Sequence, residues 1–113
     1  MSIRLRLDKP WKPLTAEDAG RLPGQLGVYQ IADGQGAVLY IGHAGARSPF
    51  GLRSELQREL AERGAGCQFR VEVNQQYRTR WFELLMVHQA DHGSLPADNA
   101  KNPPPNLGRL SPA

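Results

Sequence analysis

Apolar and polar residues alternate at the start of the chain, in Ile3-Arg4-Leu5-Arg6-Leu7, with the period of a short strand. Pro10 and Pro13 end that pattern within an otherwise irregular arm. Thr15–Gly20 (TAEDAG) reads as one or two helical turns, with Thr15 as cap, Glu17 and Asp18 in the first turn and Gly20 as stop. Pro23-Gly24 is a turn. Two apolar runs follow, Gly27–Ala32 and Ala37–Gly42, each carrying a tyrosine. Asp33-Gly34-Gln35-Gly36 between them has the length and chemistry of an antiparallel hairpin loop. Ser48-Pro49-Phe50 predicts a helix start, the serine capping and the proline first in the helix. Leu52, Leu56 and Leu60 then recur every four residues as a core stripe through Arg63, and Gly64 and Gly66 end it. The pairs Arg58–Glu62 and Glu59–Arg63 mark a solvated opposite face. Cys67–Val73 alternates with period two, as a half-buried strand does. Arg78–His92 is a helix rich in Trp81, Phe82, Leu84, Leu85, Met86 and Val87. From Gly93 onward, Pro96, Pro103, Pro104, Pro105 and Pro112 predict a tail without regular structure, wrapped over the domain or partly disordered.

The order β-β-α-β-α predicts a small α/β sandwich, a central three-stranded antiparallel or mixed sheet flanked by helices. A chain of 113 residues is one domain by size. No run approaches the roughly 20 apolar residues that span a bilayer, and the N-terminus lacks the apolar stretch of a signal peptide. The expected location is the cytoplasm, away from membranes. Cys67, the sole cysteine, excludes an internal disulfide and a cysteine zinc cluster. Its flanks suit a small buried strand residue. Fourteen Lys and Arg against eleven Asp and Glu give a net charge of +3, which admits a polyanionic partner without requiring one.

Several motifs narrow the chemistry. Gly34-Gln35-Gly36 opens no helix and no Gly-Lys-Ser/Thr occurs, so a phosphate-cradling nucleotide fold is disfavoured. His88 and His92 stand four apart like zinc ligands of a metalloprotease, but Gln89 occupies the place of the required glutamate. They read as solvated or helix-end histidines that suit the helix dipole. Glu83 falls between Val87 and Ala90 on the helical wheel. A carboxylate there calls for a partner, either Arg80 three residues earlier or a metal. Arg53 sits beside Leu52 at the inner edge of its helix, where a surface arginine is the plain reading.

Taken together, these positions resemble the GIY-YIG nuclease domain. Gly27-Val28-Tyr29 looks like the GIY element, and Tyr40-Ile41-Gly42 matches the YIG element letter for letter. Arg53, in Phe50-Gly51-Leu52-Arg53, resembles the family's arginine, with Arg47 as a rival. Glu83, in Trp81-Phe82-Glu83-Leu84-Leu85, resembles its metal-binding glutamate. Asn99 resembles its closing asparagine, for which Asn102 or Asn106 could substitute. His43 stands where the family often has lysine. The resemblance covers roughly residues 23–99, leaving 100–113 as a proline-rich tail.

The resemblance implies a metal-dependent endonuclease that hydrolyses DNA phosphodiester bonds. Glu83 would hold one Mg2+ (or Mn2+), supplying charge stabilisation. Arg53 would grip the scissile phosphate. Arg47, Arg53, Arg78 and Arg80 would contact the DNA backbone. A tyrosine, Tyr29 or Tyr40, would act as base with His43 assisting. A free phenol, with a pKa of ~10, is ionised about one part in a thousand at pH 7, so the base needs a lowered pKa. Family members often carry a separate DNA-binding domain, and a protein partner could supply that specificity here. The alternatives are a nucleic-acid-binding module that keeps the fold without turnover, and an interaction domain whose tyrosines only pack.

Overall fold

The computed structural model describes residues 6–104. The predicted strand at 3–7 and residues 105–113 of the predicted tail, Asn106 included, lie wholly or mostly outside them. The elements run β1 (Lys12–Pro13), α1 (Ala16–Gly20), β2 (Gly27–Ala32), β3 (Val38–Ala44), α2 (Gly51–Arg63), β4 (Gln68–Val73), α3 (Tyr77–His92) and α4 (Ala97–Ala100). They form a small α/β sandwich around one antiparallel sheet of strand order β1-β4-β2-β3. The three long strands are those predicted by the two apolar runs and by the alternation at 67–73, and the antiparallel alternative holds throughout.

The fourth strand, β1, is a two-residue edge strand opposite Gln68 and Phe69. Pro13 is tolerated there because an edge strand has one side that needs no N–H donor. β2 is central and buried at every residue, so both of its faces must be satisfied. Tyr29 and Ile31 pack with Leu52 and Leu56 of α2 on one face. Val28 packs with Ile41, Leu84 and Leu85 under α3 on the other. The one polar member, Gln30, accepts a bond of 2.7 Å from Arg70 Nε.

Three local expectations are corrected. Ser48 does not cap α2. Its carbonyl closes a turn onto Gly51 N, and its hydroxyl bonds Glu55 Oε2 at 2.7 Å. The helix begins instead at Gly51, at φ +54°, where a Cβ would stand 2.3 Å from Gln25 O. Only glycine fits a positive φ pressed that closely onto another backbone. Glu59 is not on a solvated face but buried, 2 % exposed. The chain after Gly93 is not wholly irregular: Ala97–Ala100 form a helical turn whose Asn99 is buried. Pro96 sits just before that turn, where a missing N–H costs nothing.

Candidate functional site

The loop Gly45–Ser48 after β3, the start of α3 and one residue of α2 enclose an open groove of about 580 Å3. Its lining includes Tyr29, Tyr40, His43, Arg47, Glu55, Tyr77 and Arg78. The groove exists because small residues let rings approach the backbone. A Cβ at Gly42 would meet Tyr29 ring atoms at 2.5 Å, and one at Gly45 would meet the Tyr77 ring at 2.8 Å.

Tyr29 lies opposite Gly42, and Ile31 opposite Tyr40. Tyr29 and Tyr40 are therefore diagonal neighbours on one face of the sheet, as the period of two requires. Their ring centroids are 6.1 Å apart. Beneath them, Tyr29 Oη donates to Glu59 Oε2 at 2.6 Å. Glu59 Oε1 accepts from Arg63 Nε at 2.7 Å, and the Arg63 guanidinium lies over the Tyr40 ring. Arg58 bridges Glu55, Glu62 and the edge of this cluster.

Burial, and then the negative charge of Glu59, holds the Tyr29 phenol well above its usual pKa. Tyr40 is raised for the same two reasons, partly opposed by Arg58. Neither phenol has the lowered pKa that a base at neutral pH needs. His43 is different. It stacks on Tyr77 and meets Trp81 edge-on, with centroids 5.4 and 4.7 Å away. Burial lowers its pKa from the usual imidazole value, which leaves the ring neutral at pH 7. Among the described residues its buried Nδ1 has no hydrogen-bond partner.

The other predicted residues lie elsewhere. Arg53 does not line the groove; its Nε donates to Leu22 O at 2.9 Å. Two residues along a helix turn 200°, so Arg53 points away when Glu55 points in. Arg47 and Arg78, both exposed, are the arginines in the groove. Arg80 is buried, 7 % exposed, and bonds Glu72 Oε2 at 2.8 Å and Glu83 Oε1 at 2.6 Å. A guanidinium so engaged does not reach DNA. Glu83 thus takes the ion-pair alternative, and it does not line the groove. Among the described residues, no group of three or more His, Cys, Asp or Glu is gathered for a metal ion. With its carboxylate on Arg80, Glu83 does not fit the Mg2+ (or Mn2+) that the resemblance implies. Tyr29 and Tyr40 thus share this groove, and Arg53 and Glu83 do not line it.

Asn99 has a defined task. Its Oδ1 accepts from Ile41 N at 2.8 Å and its Nδ2 donates to Ile41 O at 2.9 Å. Trp81 Nε1 also donates to Ile41 O, at 2.8 Å. β3 is an edge strand, and the asparagine amide stands in for the missing neighbour strand at the centre of Tyr40-Ile41-Gly42. Asn102 donates its backbone N–H to Asn99 O, outside the groove lining.

Sequence reasoning missed Glu59, Glu55 and Tyr77. A signal existed for Glu59: with Leu52 and Leu56 it completes the i, i+4, i+7 spacing of a buried helix face.

Residues 5–91 match a family described as a domain of unknown function (DUF7508). With most of its length matched, the chain belongs to that family. No curated protein and no solved structure matches it.

Proposed function

We propose that this DUF7508 domain binds nucleic acid, with DNA as the expected partner, through the groove at the end of β3, as a module of GIY-YIG type. The observation that carries this reading is the meeting of two exposed arginines, Arg47 and Arg78, with the rings of Tyr40, His43 and Tyr77 in one open groove. Guanidinium groups bind phosphate oxygens in a fork, and ring faces receive bases or sugars. Among the described residues neither arginine has an acidic partner to occupy it. The two tyrosines on one sheet face support the GIY-YIG likeness.

The test is fluorescence anisotropy of single-stranded, duplex and branched DNA against salt. Binding should weaken as salt rises, and Arg47→Ala and Arg78→Ala should each flatten the salt slope by about one unit. No binding at low salt, or a slope indifferent to both substitutions, would remove the reading.

A second reading, hydrolysis of the bound phosphodiester, is favoured by His43. A neutral imidazole facing the groove is a better proton acceptor at pH 7 than either phenol. Nicking of supercoiled DNA with and without Mg2+ or Mn2+, by wild type and His43→Gln, tests it. Nicking that His43→Gln leaves unchanged would take the base role from His43.

A further inference from the structure

The two histidines at the far end of α3 lie outside the groove. His88 and His92 are four apart, so they project from the same side of the helix on successive turns. Their ring centroids are 4.3 Å apart, with planes 32° from parallel. Two nitrogens bound at ~2.1 Å to one tetrahedral ion stand about 3.4 Å apart, which rings this close can achieve. His88 Nδ1 lies 3.0 Å from Ser94 O. A carbonyl only accepts, so Nδ1 carries the hydrogen and Nε2 keeps the lone pair. Metal-binding histidines are ordinarily oriented by such a bond from the other ring nitrogen.

The helix end favours a cation, although Arg6 and Arg70 line the smaller of the two cavities beside it. His92 is the last residue of α3, at the negative end of the helix dipole. Both histidines line two shallow cavities, of about 190 and 540 Å3, which leave room for coordinated water. The neighbouring Asp91 is engaged by Arg6 through bonds of 2.8 and 2.6 Å, so the two imidazoles alone are taken as protein ligands.

We propose that His88 and His92 form a two-imidazole site for a divalent transition-metal cation, Zn2+ or Cu2+, with water filling the remaining positions. Imidazole ligands select these ions over Mg2+, which prefers oxygen. The site is independent of the groove and of the reading proposed for it.

The experiment uses the full chain, which has only three histidines. Imidazole NMR signals are followed during Zn2+ and Mg2+ titrations, with affinities from calorimetry. The signals of His88 and His92 should move together and saturate at one Zn2+ per chain, and those of His43 should stay. Mg2+ should move none. His88→Gln and His92→Gln should each weaken Zn2+ binding by more than about 10-fold, the least that losing even a hydrogen-bond partner of a ligand costs, while Cys67→Ser leaves it unchanged. Zinc binding that survives the double substitution, a response centred on His43 or Cys67, or no response from wild type to millimolar Zn2+ would each overturn the proposal. The wild-type spectra decide the matter even where a variant folds poorly.

Discussion

The hydroxyl of Tyr29 donates a 2.6 Å hydrogen bond to Glu59 within the core, where the two residues are 1 and 2 % exposed. A buried carboxylate is costly unless hydrogen-bonded and paired, and Tyr29 and Arg63 do both here. Tyr29→Phe should cost about 1.5–3 kcal/mol, the range for a bond to a charged acceptor. Denaturant unfolding of Tyr29→Phe, Glu59→Gln and the double variant would measure it. Additive effects would show that the pair is not coupled.

The same bond sets an alkaline limit. The phenol's folded pKa lies above its unfolded value of ~10, so the folded state holds the proton more tightly. The resulting stability is fully present below pH ~10 and is lost as pH rises toward the folded pKa. Wild type should lose melting temperature more steeply than Tyr29→Phe above pH ~10. Parallel curves would contradict this.

Gly42 should not accept a side chain. A Cβ there meets Tyr29 at 2.5 Å, on a ring held from the other side by Glu59. Gly42→Ala should cost about 3 kcal/mol. It should cost markedly less in a Tyr29→Ala background, where the ring is gone. Equal penalties in the two backgrounds would place the strain elsewhere.

Asn99 should matter to stability before it matters to any ligand. Asn99→Ala strands Ile41 N, while Trp81 still satisfies Ile41 O. The expected loss is about 2 kcal/mol, near 10 °C in melting temperature for a domain of this size. Asn99→Asp should be worse, because a second acceptor would face Ile41 O. Calorimetry of the two variants checks the order.

Glu83→Gln should be mild. Glu83 is 41 % exposed, and Arg80 keeps Glu72 as partner. A loss of at most about 1 kcal/mol and unchanged DNA affinity are expected. A collapse of metal-dependent nicking would instead return Glu83 to the chemistry.

The sequence alone determined the three long strands, the hairpin and the two long helices. Their signals are local: period-two alternation, leucines four apart, and glycines that end helices. It also singled out Tyr29 and Tyr40 through their matched strand settings, which the register places on one face, and His43 through its place just after Tyr40-Ile41-Gly42, although the register puts His43 on the other face. Only the tertiary structure decided which charged groups join them. Arg53 and Glu83 occupy helices whose rotation about their own axes is set by packing on the sheet, and that rotation turned one to Leu22 O and the other to Arg80. Glu59 shows the reverse. Its charge suggests solvent, but its place in the leucine stripe puts it in the core, and a tyrosine 30 residues away makes that burial tolerable. Asn99 binds across 58 residues to an edge strand that becomes an edge only when the sheet is assembled, a relationship no local pattern contains.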